Sequence, residues 1–316
     1  MTEKIRVGIS SCLLGEKVRY DGGHKLDRLV RDFLGPYLDF VPVCPEVELG
    51  LPTPREALRL VEQEDGAHLV FSRSGEDITR GMTNWAEGRV QELEREELCG
   101  FIFKSRSPSS GMERVKLYGK GGVPVKSGVG IFARIFMEHF PLLPVEEDGR
   151  LHDARLRENF VESLFVFRRW RQLLAGPQRT GALVAFHTRH KLLLLAHSPE
   201  LYRAMGKLVA DPQAFPAAEL FRRYQELLMQ GMRLLPTVAK HVNVLQHLLG
   251  YFKRDLGADE KAEALELIEH YRQGHLPLIV PVTLLNHFVR KYRQPYLAEQ
   301  YYLNPHPVEL QLRNHA

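Results

Sequence analysis

Apolar and polar residues alternate along Ile5-Arg6-Val7-Gly8-Ile9-Ser10, a period of two that predicts a short strand. Lys25 to Leu34 follows with helical spacing, and Asp39-Phe40-Val41-Pro42-Val43 reads as a second strand, so the chain opens as a βαβ unit. Farther on, His68-Leu69-Val70-Phe71 predicts a strand, Asn84 to Leu98 a charged amphipathic helix, Gly100 to Lys104 a strand and Gly128 to Phe140 a closing helix. Strands alternating with helices imply a Rossmann-like open, mostly parallel sheet. Beyond it the period is helical almost throughout: Leu156 to Leu174, Gly181 to His197, Pro216 to Leu234, Thr237 to Leu256, Asp259 to Gln273 and Val282 to Arg293. The expected fold is an α/β N-terminal domain, residues 1–148, followed by an all-α C-terminal domain, residues 149–316.

Composition adds limits. With 44% hydrophobic and 26% charged residues, the 316-residue chain is ordinary globular material, which excludes collagen, coiled coil and disorder. No apolar run reaches roughly 18 residues without a charge, and Met1 to Arg6 leads straight into a strand rather than a signal-peptide core. A cytoplasmic protein is expected. Cys12, Cys44 and Cys99 are too few and too scattered for a disulfide framework, leaving metal, catalytic or merely buried thiols.

Charge divides the chain. From Arg155 onward there are 22 Lys and Arg against 14 Asp and Glu, while residues 1–154 carry 21 against 25. A basic half fits a polyanionic partner, and equally a set of solvated helix faces. Basic and aromatic residues interleave in Phe165-Val166-Phe167-Arg168-Arg169-Trp170-Arg171 and in His287-Phe288-Val289-Arg290-Lys291-Tyr292-Arg293. Cations neutralise phosphates and aromatic rings stack on unpaired bases, so Arg168, Arg169, Arg171, Arg290, Lys291 and Arg293, together with Arg189 and Lys191, are candidate RNA contacts. The competing reading places Phe165, Trp170, Phe288 and Tyr292 in the core. His187 and His190 share a helix face but lack a third ligand, which favours packing or nucleic-acid contact over a metal site.

Ligands of an open parallel sheet bind beyond the carboxyl ends of its strands. Three segments lie there: Ser11-Cys12-Leu13-Leu14-Gly15, Cys44-Pro45-Glu46, and Ser105 to Gly111, with Arg19-Tyr20-Asp21-Gly22 nearby. Two thiols, a carboxylate and several hydroxyls make a pocket for metal or nucleophilic chemistry; alternatively the thiols are small buried hydrophobes and the serine-rich run a turn. Gly119 to Ser127 has the residue types of a phosphate loop but the wrong spacing, and is rejected as one.

Ser11-Cys12-Leu13-Leu14-Gly15, Arg19-Tyr20-Asp21-Gly22, Cys44-Pro45-Glu46 and Ser107-Pro108-Ser109 before Gly111 together resemble the thiouracil desulfidase family over roughly residues 5–140. The remainder, including Phe186 to Lys191, His241 to His247 and Leu312 to His315, is similar to the helical domain fused to this module in bacterial tRNA 4-thiouridine desulfidases. The resemblance implies a [4Fe-4S] cluster held by three cysteines, with one iron open to take sulfur from a thiocarbonyl in a reaction without net redox. It implies Cys12, Cys44 and position 110 as ligands, Glu46 as acid/base and Ser107 as a hydrogen bonder to substrate or intermediate. Arg19, Tyr20, Asp21 and Ser109 are implied as substrate contacts, and tRNA containing 4-thiouridine as the partner, with neither membrane nor DNA.

The chain departs from the family at one ligand: Ser110 stands where a cysteine belongs. Cys99 is a poor replacement, because it precedes the strand whose far end meets the crevice. A hydroxyl is a hard, weakly acidic ligand, so the cluster is expected to be weak or absent and the enzyme impaired. A noncatalytic RNA-binding or regulatory protein with a degenerate cluster site stays open, as does desulfuration of free thiouracil, which would leave the basic half without a task.

Overall fold

The computed structural model describes residues 4–119 and 122–315. Met1 to Glu3, Lys120 and Gly121 of the rejected phosphate-loop segment, and Ala316 lie outside the described residues. The chain divides into two compact units, Met1–Asp153 and Ala154–Ala316; the boundary read from sequence falls in the connection between the last strand of the first unit and the first helix of the second.

In the first unit, β1 (Ile5–Ser10), β2 (Leu38–Val43), β5 (Phe101–Phe103) and β8 (Val145–Glu147) form a parallel sheet in the order β2-β1-β5-β8. β1, β2 and β5 are mostly apolar, as in a parallel sheet covered on both faces, while β8 is Val145-Glu146-Glu147. A cluster of Phe101, Phe103, Phe132 and Phe136, with ring centroids 4.4–6.2 Å apart, welds β5 to α3 (Ile131–His139), and Trp85 of α2 (Thr79–Glu94) packs on Phe132 at 5.4 Å. Gly8 lets β1 and β5 close: a Cβ there would lie 2.3 Å from the Phe101 ring.

Other boundaries move. A helical turn covers only Leu29–Leu34 rather than Lys25 to Leu34, and α2 begins and ends earlier than the Asn84 to Leu98 reading. A second sheet, unforeseen from sequence, orders β3 (Leu58–Gln63), β4 (Gly66–Phe71), β6 (Val115–Tyr118) and β7 (Pro124–Gly128) as β4-β3-β6-β7; two of its three pairings are antiparallel. Between β2 and β3 lies the single turn α1 (Pro45–Glu48).

The second unit is helical: α4 (Ala154–Ala175), α5 (Thr180–His197), α6 (Pro199–Ala210), α7 (Ala217–Met232), α8 (Val238–Gly250), α9 (Ala258–Arg272), α10 (Ile279–Lys291) and the turn α11 (Pro295–Ala298). Trp170, Phe221, Tyr224 and Phe288 are fully or almost fully buried. Among the described residues no helix is long and apolar enough to cross a membrane. His187 and His190 belong to this packing: His187 Nδ1 meets the Tyr224 hydroxyl at 3.0 Å, His190 Nδ1 meets the Phe186 carbonyl at 2.8 Å, and burial pushes both imidazoles down, to about 4 and about 3.

Candidate active site

The carboxyl ends of β1, β2 and β5 converge on a cavity of about 330 Å³ lined by Cys12, Cys44, Glu46, Ser107 and Ser110, with Arg19 and Tyr20 among its other walls. Cys12 sits in the helical turn Ser11–Leu14 that directly follows β1, fixed when its carbonyl accepts from Lys25 N at 2.9 Å. Cys44 ends β2 in extended conformation, its amide donating to Glu48 Oε1 at 2.8 Å. The loop after β5 is lashed to the start of α3, whose Ile131 and Ala133 amides donate to Pro108 O and Ser109 O at 3.3 and 3.1 Å. Gly130 permits that approach, since a Cβ there would lie 2.4 Å from Ser109 O and 2.7 Å from Ser110 N. Gly130→Ala is therefore expected to displace the loop and cost about 1–3 kcal/mol, which thermal unfolding would read.

Glu46 is held on several sides. Ser109 Oγ donates to its Oε1 at 2.6 Å, Arg55 Nη2 stands 3.8 Å from Oε2, and Cys44 Sγ approaches Oε2 at 3.6 Å. Ser107 Oγ pairs with Ser109 Oγ at 3.0 Å and accepts from Ser110 N at 3.1 Å, so a chain of hydroxyls runs from Ser107 to the carboxylate. Ser109 is fully buried and is not part of the cavity wall; its hydroxyl orients the Glu46 carboxylate. Asp21 is an exposed turn residue that accepts from Gly23 N at 3.0 Å and pairs at 3.4 Å with Arg19, which lines the cavity.

Sequence reasoning missed two cations in the wall. Arg55, only 5% exposed in its side chain, donates to Val18 O at 3.1 Å, and its amide donates to Tyr20 O at 2.8 Å, fastening the Arg19–Tyr20 loop to the site. Lys104 pairs with Asp148 Oδ2 at 2.8 Å; burial works against ionisation of Asp148, but the ammonium holds its carboxyl below the usual range. Arg55 follows a Pro-Thr-Pro stretch that carries no periodic signal, and Lys104 reads only as a strand end.

Burial pushes the Cys12 thiol up to about 11 and the Cys44 thiol up to about 12, with the Glu46 charge adding to both and Lys104 opposing the rise at Cys12. Both are neutral thiols at physiological pH. The folded state holds these protons more tightly than an unfolded chain titrating near 9.0, so their contribution to stability is complete below pH 9 and is lost as pH rises through about 11 and 12. Alkylation by iodoacetamide at pH 8 is expected to be much slower in the folded than in the denatured chain; equal rates would contradict the burial.

The resemblance to a cluster-binding family can be tested on this donor set. Cys12, Cys44 and residue 110 do share one cavity wall, but they present two thiols and a hydroxyl. Among the described residues no group of three or more His, Cys, Asp and Glu side chains is arranged to hold a metal ion. A three-thiolate cluster does not fit these residues. Cys99 offers no replacement: it is buried before β5, its amide donating to Arg6 O, and does not line the cavity.

In the helical unit the basic candidates separate. Arg169 packs within the unit: its guanidinium lies 3.8 Å over the Tyr301 ring and donates to Pro305 O, and burial pushes its pKa down to about 10. Trp170 and Phe288 are core. Arg168 and Arg171, either side of Arg169 and Trp170 in sequence, are half-buried. Arg189 pairs with Glu299 at 3.1 Å, Lys291 with Glu260 at 2.6 Å, and Lys191 lies 4.6 Å over the Tyr296 ring. Arg290 and Arg293 are exposed, with no acidic partner among the described residues.

Residues 7–148 match the family model described as 2-thiouracil desulfurase, and residues 191–307 match DUF1722, a family of proteins of unknown function. The chain is 29% identical over 161 residues to the uncharacterized protein YbgA of Escherichia coli (strain K12), spanning 51% of this chain and 95% of that protein. It is 30% identical over 108 residues to the uncharacterized protein YbbK of Bacillus subtilis (strain 168), spanning 33% of this chain and 71% of that protein. A solved structure described as the [4Fe-4S]-dependent thiouracil desulfidase TudS (DUF523Vcz) is 29% identical, covers 48% of this chain and 95% of its own, and superposes with a TM-score of 0.38. Through the unit that forms the cavity, the chain belongs to the 2-thiouracil desulfurase family, and it carries a DUF1722 region after it.

Proposed function

We propose that this protein is a desulfidase that hydrolyses the thiocarbonyl of a pyrimidine, with 4-thiouridine in tRNA as its substrate and the basic helical unit as its RNA-binding part. The observation that carries the reading is the meeting of Cys12, Cys44, Glu46 and the Ser107–Ser110 loop in one cavity of a 2-thiouracil desulfurase unit. In the reaction one thiocarbonyl and one water give one carbonyl and one hydrogen sulfide, and no group is oxidised or reduced. Water adds to the thiocarbonyl carbon while Glu46 takes one of its protons; the C–S bond of the tetrahedral adduct then breaks as its hydroxyl becomes the carbonyl, and sulfur leaves as hydrogen sulfide with that hydroxyl's proton and the one returned by Glu46. Ser109 and Arg55 hold the carboxylate in place, and Lys104 and Arg55 supply positive charge where negative charge gathers on sulfur. The reading is tested by the sulfide released from tRNA containing 4-thiouridine, against the same tRNA without the thiolated base.

The RNA part has its own test. Tightness should fall steeply with added salt, and Arg290→Glu with Arg293→Glu should weaken tRNA binding and shallow the salt slope by about 2. Unchanged affinity in the folded double variant removes that stretch from the interface. A second reading, a noncatalytic RNA-binding protein, is favoured by Ser110 alone; it predicts intact tRNA affinity with no sulfide from any variant at position 110.

A further inference from the structure

A second cavity, of about 120 Å³, lies wholly within the helical unit, between α4, α8, α9 and the C-terminal segment. Its charged wall is already neutralised. Arg313 donates to Glu162 Oε1 at 2.7 Å and Glu158 Oε1 at 3.2 Å, while His197 Nε2 stands 3.2 Å from Glu162 Oε2 and His315 Nε2 stands 2.7 Å from Glu158 Oε2. All four carboxylate oxygens are thereby engaged, and Arg155, the remaining cation of the lining, donates to Pro236 O at 3.4 Å.

Three polar groups of the lining are not used. Asn159 gives its amide nitrogen to Met232 O at 3.0 Å, but its Oδ1 is buried without a partner. His241 has Nδ1 on the Tyr302 hydroxyl at 3.0 Å, which leaves Nε2 without a protein partner among the described residues. The Tyr271 hydroxyl is in the same position, its ring edge-on to His241 at 6.3 Å. Leu235, Pro236, Val238 and Leu278 supply apolar side chains to the same lining. A buried acceptor left unsatisfied is costly and calls for a donor. Burial pushes His241 down to about 3, so a neutral imidazole faces the space at physiological pH.

We infer that this cavity is a binding site for a neutral, planar, single-ring heterocycle with N–H and carbonyl groups side by side, the chemistry of a pyrimidine base. Its volume is close to that of a cavity that takes one benzene-sized ring, roughly 150 Å³. One ring edge would donate to Asn159 Oδ1, the other would meet His241 and Tyr271, and the faces would lie against the apolar wall. The inference is independent of the desulfidase cavity, which shares none of these residues.

Titration calorimetry of the full chain with uracil, uridine and adenine tests it. Saturable one-to-one binding of uracil is expected, with adenine, which has two rings, excluded; binding of uridine as well would identify a nucleoside-linked base as the ligand, and its failure a free base. Tyr271→Phe, which removes one hydroxyl, should weaken uracil about tenfold. Val238→Trp, at a rim position 43% exposed, should close the mouth and abolish binding in a chain that still unfolds at the parental temperature. No saturable uracil binding by the parent, or binding indifferent to both substitutions, overturns the inference.

Discussion

Replacing Ser110 by cysteine is expected to convert a chain that purifies with little iron into a brown protein carrying about four iron atoms, with thiolate-to-iron absorption. The reason is local. Residue 110 is 3% exposed in the wall it shares with Cys12 and Cys44, and its position is fixed by the loop's bonds to α3 and to Ser107, so the substitution adds a soft ligand without moving backbone. Two thiols and a hydroxyl hold soft metal poorly because the hydroxyl keeps its proton where a thiol gives one up. Sulfide release should rise by more than about 100-fold, since even the outer partners of metal ligands are worth ten- to a hundredfold. Cys99→Ser on that background should change little. Anaerobic reconstitution followed by iron and sulfide assays reads all three; a parent chain already full of iron, or loss of iron on Cys99→Ser, would show that Ser110 is not the vacant ligand position.

Glu46→Gln is expected to lower kcat by about 10²–10⁴-fold in the Ser110→Cys chain, with binding of thiolated substrate retained. The amide preserves the shape and can still accept from Ser109, yet takes no proton from water. Ser109→Ala should cost less, and should act through kcat, because it loosens the carboxylate without removing it. Single-turnover rates with unchanged KM are the measurement; a fall in KM-related binding alone would move Glu46 from the chemistry to substrate holding.

The parallel half of the fold was legible because β1 and β2 carry strand patterns that run up to the cysteines, and topology then forces their carboxyl ends together. Of the second sheet only β4 was legible, through His68 to Phe71; Val115–Tyr118 and Pro124–Gly128 are short and interrupted by lysines, and the pairing of β6 with β3 spans a long sequence separation. Helix α6 was overlooked although Ser198 caps it, accepting from Leu201 N at 3.2 Å, with Pro199 in the first turn. In the site, Cys12, Cys44, Glu46 and Ser107 announced themselves by residue type. Arg55 and Ser109 did not: their work depends on approaching Glu46 from residues nine and sixty-three positions away, which spacing does not encode. The packing of Arg169 was not legible for the converse reason, because a basic residue beside a tryptophan looks the same in sequence whether or not it lies over a ring such as Tyr301.

Oxygen-18 water puts the central claim to its most direct test. Digestion and mass spectrometry of tRNA treated with the Ser110→Cys chain should find one heavy oxygen in each uridine formed, and one hydrogen sulfide for each 4-thiouridine lost, with no reductant or oxidant added. Loss of 4-thiouridine without heavy oxygen in the product, or a requirement for an electron donor, would contradict hydrolysis at the Cys12–Cys44–Glu46 cavity.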